Sequence, residues 1–267
     1  MSGPVKVSVI LPVYNGARHL AEAIRSVLAQ RGVAFELLIG DDASTDDSWE
    51  VIAPFRKDPR VRAWRFRTRR GVGGNPNRLR KRARGRYLAI FEQDDRMLPG
   101  CLKRLSAWLD RHPAAGVVSG PRRVLDRAGR TRPERKFDIR RYPNWDLIRM
   151  QQPHAGTMVR KRAMERIGGY REELKLAVDC DLFLRLAEVT GFGRIGGRPV
   201  YLYREWSGSE SSRLPSLAVQ KRVVQKILRE VIFRRYGWRV RWNASGRPES
   251  GKGRRAASPA RRRRNAG

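Results

Sequence analysis

Three apolar runs in this chain end in residues able to do chemistry: Pro12-Val-Tyr14-Asn15, Asp41-Asp42 and Glu92-Gln-Asp94-Asp95. Carboxylates clustered just after a buried strand need a counter-charge. Oxygen ligands of this kind suit Mg²⁺ or Mn²⁺, ions that in turn bridge to diphosphates. The competing reading is structural, a turn with two helix-capping acids. Asp41-Asp42 at the end of a neighbouring strand shifts the balance: two acidic strand ends with an arginine-rich loop beside them describe a nucleotide-plus-metal site. There a carboxylate accepts from a base or from ribose hydroxyls, while metal and arginines neutralise phosphates.

Such residues converge only if the elements between them place them at one edge of a sheet. Val5–Val13 has strand length and β-branched content, and Leu20, Ile24, Val27 and Leu28 recur at helical spacing behind it, with Asn15 as the expected cap and Gly32 as the stop. Phe35–Gly40 is the second strand. Ser44 with Asp47 resembles a capping box opening a helix that carries Trp49, Ile52 and Phe55. Val61–Phe66 alternates as a third strand. Pro76 suits the first position of a short basic helix to Arg84, and Tyr87–Phe91 is the fourth strand. The rhythm of strand, helix and strand predicts an α/β fold with a Rossmann-like, doubly wound, mostly parallel sheet. Ligands then bind beyond the carboxyl ends of its strands. Farther on, a helix near Leu102–Leu109, strands at 117–119, 157–159 and 199–203, and an amphipathic helix over 179–189 are expected.

The chain has 267 residues, with 59 Lys and Arg against 26 Asp and Glu, a formal charge of +33. That charge implies an anionic partner: nucleic acid, an acidic membrane surface or a phosphorylated substrate. Residues 60–86 carry twelve basic residues and no acidic one, 122–141 form a second basic zone, and 239–264 carry ten basic residues against Glu249. The last zone reads as a disordered, solubilising tail. No helix-turn-helix, zinc or aromatic-strand motif supports a nucleic-acid binder, the alternative that the charge alone suggests. Cys101 and Cys180 are too few for a disulfide framework, and no secretory leader or membrane-spanning run is present. A cytoplasmic protein, in places peripheral to the inner face of a membrane, is the expectation. His19 is expected to be solvated, His112 to end a helix, and His154 to reach toward an acceptor. Tyr142, Trp145 and Trp206 serve either as stacking platforms or as core.

Val7–Asn15, Leu38–Asp46 and Arg86–Asp95 together resemble, in order and spacing, the opening of family 2 glycosyltransferases. Shorter echoes follow at Ile167–Tyr170, Asp179–Arg185 and Tyr201–Arg204. The resemblance covers about residues 5–212. It implies the GT-A fold and an inverting transfer from a nucleotide-diphosphate sugar, UDP-linked by analogy, to a saccharide or lipid-linked acceptor. On that resemblance Pro12, Tyr14 and Asn15 line the nucleobase pocket, and Asp41 and Asp42 contact the base. Asn77 and Arg78 serve the donor, Asp94 and Asp95 hold the cation on the diphosphate, and Asp179 is the catalytic base. Glu92 stands where the family pattern more often has Asp, Pro76 where an arginine is common, Val178 where an acid is often found, and Trp206 where a His is expected. The implied organisation is a transferase domain over 1–212, with a nucleotide-sugar half (1–98) and an acceptor half (99–212). A helix over 213–236 and a basic tail over 237–267 follow.

Overall fold

In a computed structural model, residues 4–133 and 156–207 are described, with 222–224, 226, 227 and 230 beyond them. The larger sheet contains β1 (Val7–Val13), β2 (Phe35–Asp41), β3 (Val61–Arg65), β4 (Tyr87–Ile90), β6 (Ala115–Ser119), β9 (Thr157–Arg160) and β10 (Gly191–Arg194). Its spatial order is β10-β6-β9-β4-β1-β2-β3. β4, β1, β2 and β3 run parallel, whereas β9 is antiparallel to both of its neighbours. A smaller sheet, β5-β11-β7-β8, is built from Arg96–Met97, Tyr201–Arg204, Arg122–Leu125 and Thr131–Pro133.

Alternation along β1 shows how the larger sheet is buried on both faces. Val7, Val9, Leu11 and Val13 join a core with Leu20, Ile24 and Val27 of α1 (Ala17–Leu28) and Leu102, Leu105 and Leu109 of α4 (Cys101–Arg111). Ile10 points the other way, into a core with Leu79 of α3 (Gly71–Arg80), Met164 of α5 (Lys161–Arg166) and Leu182, Phe183 and Leu186 of α6 (Val178–Val189). Such a period-two split, apolar on both sides, is what a parallel sheet between helical layers requires. The chain runs outward from β1 to β3 and then returns through α3 to β4 on the other side of β1. The switch in strand order therefore lies between β1 and β4, which opens a crevice at their carboxyl ends.

Several expected boundaries shift. The helix expected from Pro76 to Arg84 instead covers Gly71–Arg80, with Pro76 inside it. Packing decides this: a Cβ on Gly73 would sit 3.0 Å from the Arg171 carbonyl oxygen, so only a glycine-rich turn lies this close to the 171–172 segment. The helix expected to open at Ser44 is α2 (Ser48–Ile52), followed by a 3₁₀ turn over Ala53–Lys57. β10, the two-residue β5, and β7 and β8 in the basic stretch were not legible as strands in the sequence. The strand expected over 199–203 is Tyr201–Arg204. His154, Tyr142, Trp145 and the tail over 237–267 lie outside the described residues, as does most of the helix expected over 213–236. No helix among the described residues is long and apolar enough to cross a membrane.

Candidate active site

The ends of β1, β2 and β4 are stitched to one another by side chains rather than left as separate turns. Gln93, just past β4, accepts from Tyr14 N at 2.9 Å and donates its amide to Tyr14 O at 3.1 Å. Asn15 N donates to Ser44 Oγ at 3.0 Å, and Thr45 N donates to Asn15 Oδ1 at 2.9 Å. Asn15 is therefore a bridge between loops, not the cap of α1. That cap is supplied from thirty residues away: Ala17 N donates to Asp46 Oδ2 at 3.1 Å, and Gly16 N to Ser48 Oγ at 2.9 Å. Pro12 lies in β1 opposite Gly40, and the Arg69 guanidinium sits 3.7 Å above the Tyr14 ring.

Asp41 and Asp42 are buried, at 0% and 1% exposure, and serve the loops around them. Asp41 Oδ1 accepts from Ser44 N at 3.0 Å, and Arg65 Nε lies 3.5 Å from Oδ2. Asp42 accepts from Arg70 N at 3.0 Å, Gly71 N at 2.7 Å and Arg78 NH1 at 3.2 Å. It thus caps α3 from outside the helix, which explains why a glycine-rich segment starts a helix so early. Arg78 also donates to Thr68 O at 2.9 Å and lies over Phe66, so it is a fixed wall of the crevice. Asn77 is committed as well. Its amide donates to Tyr170 O and Glu172 Oε1, and its Oδ1 accepts from Arg80 Nε and Tyr170 N, all between 2.7 and 3.0 Å. Asn77→Ala is expected to strand several of these groups and to lower stability by about 2–3 kcal/mol, readable as a lower denaturation midpoint at unchanged m-value.

The chemistry concentrates on the carboxylates after β4. Asp94 Oδ2 accepts from Trp206 Nε1 at 2.8 Å, and the Arg204 side chain donates to Asp94 O at 2.9 Å. Asp95 is 1% exposed; Oδ1 accepts from Arg204 N at 2.8 Å, buried Oδ2 makes no hydrogen bond of normal geometry, and the Tyr201 hydroxyl lies close enough to favour the carboxylate. Burial raises the pKa of Asp94, and Glu92 adds to the rise. Burial, reinforced by the Asp94 charge, raises that of Asp95 well above the carboxylate range. Two desolvated acids side by side, one with a buried oxygen that lacks a well-formed hydrogen bond, fit a divalent cation, which would satisfy the oxygen and favour both ionised forms. No group of three or more His, Cys, Asp or Glu side chains able to hold a metal gathers among the described residues.

The contacts of Arg204 and Trp206 with Asp94 and Asp95 are set by strand pairing and carry no local signal in the sequence. β11 pairs antiparallel with β5, directly after Asp95, and so carries both residues across more than a hundred positions of chain onto the acids. Trp206 meets the edge of His19 at 5.0 Å between ring centroids. His19 is only partly exposed, not solvated as expected, and burial together with Arg204 and Arg18 lowers its pKa. His112 does end α4, its Nδ1 2.7 Å from Trp108 O.

Asp179 and Asp181 separate cleanly at the start of α6. Asp181 is fully buried, with Arg171 at 3.4 Å and Arg185 at 2.6 Å, and its role is structural. Asp179 is exposed and makes a short local contact, accepting from Cys180 N at 2.8 Å. Buried Tyr170 ties it to the rest of the site: the charges of Glu92 and Asp179 both help to raise the Tyr170 pKa, so its hydroxyl lies within electrostatic range of both. Among the described residues, the non-glycine residues with positive φ are Asn15 (47°), Ala43 (63°) and Ala177 (53°). Each stands at or within two residues of Asn15, Asp42 or Asp179, so backbone strain collects where the sequence placed function.

Residues 8–168 match the family described as glycosyl transferase family 2. An uncharacterized Mycobacterium tuberculosis protein is 32% identical over 198 residues, 67% of this chain and 61% of that protein. The chondroitin synthase of Escherichia coli is 26% identical over 235 residues, 85% of this chain and 33% of the synthase. The chain thus spans 61% and 33% of the length of these curated relatives. A crystal structure of S. aureus TarS superposes with a TM-score of 0.71 at 21% identity, over 86% of this chain and 67% of that one, which places the fold in the GT-A type. With more than half its length matched, from β1 through the turn after α5, the chain belongs to glycosyltransferase family 2.

Proposed function

We propose that this chain transfers a sugar from a nucleotide-diphosphate donor, UDP-linked, to a hydroxyl of a saccharide or lipid-linked acceptor, with inversion. The observation that carries this reading is the pair of desolvated neighbouring carboxylates, Asp94 and Asp95, at the crevice between β1 and β4. TarS, whose fold this chain shares, was crystallised with UDP-GlcNAc, and the relatives include a synthase of a polysaccharide.

In this reading Asp94 and Asp95 hold Mg²⁺ or Mn²⁺, which when bound supplies positive charge to the diphosphate leaving group. Tyr14, braced by Gln93, and the Asp41–Asp42 turn form the nucleoside end of the crevice. Asp42 acts there by holding the Arg70–Gly71 turn, and Asn77 by clamping the 170–172 segment against α3. Asp179 takes the proton of the acceptor hydroxyl as its oxygen bonds to the anomeric carbon. The bond from that carbon to the phosphate oxygen breaks on the opposite side, and its electron pair leaves with the nucleoside diphosphate. A cytoplasmic setting, where nucleotide sugars are the donors, belongs to the same proposal.

Calorimetric titration of the full chain with UDP tests it. Binding is expected with Mn²⁺ or Mg²⁺ present and is expected to weaken by at least about tenfold when EDTA removes the ion, because two bare acids then face the phosphates. Equal affinity in EDTA would remove the cation from the reading.

A further inference from the structure

The donor site does not use most of the basic charge at 60–86. Along β3, the edge strand of the larger sheet, that charge is stacked on aromatic rings. The guanidinium carbons of Arg62 and Arg82 lie 5.1 and 5.2 Å from the Trp64 ring centroid. Those of Arg82 and Arg78 lie 5.7 and 4.3 Å from that of Phe66. The result is an alternating ladder of arginine and aromatic groups running from the amino end of β3 toward its carboxyl end. Its two ends are neutralised, Arg62 by Glu36 at 3.0 Å and Arg78 by Asp42 at 3.2 Å. Its middle and flanks are not. Arg67, Lys81, Arg82 and Arg84 are exposed, and none has a carboxylate within 4.0 Å among the described residues.

We propose that this edge is a docking surface for an anionic phospholipid bilayer. Arg82, lying between Trp64 and Phe66, donates one N–H to Arg78 O at 2.8 Å, and its side chain is exposed, so its remaining N–H groups can meet phosphate oxygens. Both rings of the ladder already carry guanidinium groups, so they offer poor platforms for a nucleobase or a sugar, whose recognition needs a bare aromatic face. What is left is phosphate chemistry spread over an edge. Val72, 38% exposed, stands two residues beyond Arg70 and is the exposed large apolar side chain among the described residues. Arg78 links the ladder to Asp42, so a membrane met here lies beside the rim of the crevice at the carboxyl ends of β1 and β2. This surface is defined by its charge and its aromatic contacts and is independent of the donor reading.

The test is co-sedimentation of the full chain with vesicles of equimolar phosphatidylglycerol and phosphatidylcholine, against vesicles of phosphatidylcholine alone. The wild-type chain is expected on the anionic vesicles only, and less so as salt rises. Each cation near such a surface is worth about fivefold in partitioning, so the combined Arg67→Gln, Arg82→Gln and Arg84→Gln variant is expected to bind about 100-fold more weakly. The matching triple lysine variant keeps the charge and is expected to keep most of the binding. An unchanged melting temperature and unchanged UDP affinity show that the fold is intact. Undiminished vesicle binding by the glutamine variant overturns the proposal and assigns the affinity to the basic residues at 239–264. Absence of binding to anionic vesicles overturns it outright. So does a single-stranded oligonucleotide that strips the wild-type chain from vesicles and loses its own affinity with the same three substitutions.

Discussion

Asp95→Asn is expected to lower sugar transfer by about 10³-fold while making the protein harder to unfold in EDTA. The two effects have one cause. Asp95 is buried and sits beside Asp94, and the Arg204 N–H and the Tyr201 hydroxyl only partly offset the cost of its charge. Without a cation, holding this group ionised costs native-state free energy, and the amide removes that cost at nearly constant volume. The pH dependence follows from the direction of the shift. A raised native pKa means the folded chain binds the Asp95 proton more tightly than the unfolded chain does. Its contribution to stability is therefore complete below the ordinary carboxylate range and is lost as pH rises from there through the raised native value. Asp94 works in the same direction. Thermal melts of the wild type in EDTA are expected to fall between mildly acidic and neutral pH, and those of Asp95→Asn to fall less. A relief of ~1 kcal/mol at neutral pH appears as a melting temperature raised by roughly 2–4 °C. Adding Mn²⁺ and UDP should raise the wild-type melt and leave that of the variant nearly unmoved. A variant that melts lower than wild type at every pH, or that keeps its turnover, contradicts this account.

Trading stability for a charged crevice also shows which parts of the molecule the sequence made legible. The β-branched run at Val7–Val13, the apolar period of α1 and the acids closing β2 and β4 are local signals. Each is a property of one short stretch of chain: one strand, one helix face, one turn. The parallel sheet and its crevice follow from them by the rules of connection. What was not legible is who satisfies whom over distance. Asn15 and Ser44 have the residue types of local caps, and Pro76 that of a first helical residue, yet α1 is capped by Asp46 and Ser48 and α3 by Asp42. A cap read from sequence assumes the nearest hydroxyl or carboxylate wins. In a crevice where three strand ends meet, a group thirty residues away is as near, and it frees the local residue to bridge loops. The same reason hides Gln93, Arg204 and Trp206. Gln93 lies inside the Glu92–Asp95 motif and Arg204 inside the Tyr201–Arg204 echo, but their partners show only when Gln93 meets Tyr14 and the pairing of β11 with β5 brings Arg204 and Trp206 onto Asp94 and Asp95.

Asp42 and Asn77 illustrate a second limit. The resemblance assigns both to the donor, but their hydrogen-bonding capacity is spent on the protein. Asp42 holds the start of α3, and Asn77 locks Tyr170 and Glu172 to its middle. A residue's type and register show that it belongs to the site. They do not show whether it touches the ligand or holds the residues that do.

Asp179→Asn is the substitution that separates chemistry from binding. Asp179 is exposed, keeps one short contact to Cys180 N and forms no ion pair among the described residues, whereas Asp181, two residues on, is sealed between Arg171 and Arg185. A general base must present a free lone pair to the acceptor hydroxyl, and of these two acids only Asp179 does so. Its amide retains the contact to Cys180 N through the side-chain oxygen and loses the ability to take a proton. The expected result is a fall in kcat of about 10²–10⁴-fold, with UDP affinity, cation dependence and melting temperature at wild-type values. Asp181→Asn is expected to do the reverse. It leaves Arg171 and Arg185 facing a neutral amide at a buried site, lowers stability by about 3–5 kcal/mol, and affects turnover only through the folded fraction. Measured together, the pair assigns the base by contrast. Loss of transfer in Asp181→Asn at full stability, or near-normal kcat in Asp179→Asn, would move the proton to another acceptor. Glu92, which with Asp179 bears on the Tyr170 hydroxyl, is then the next carboxylate to examine.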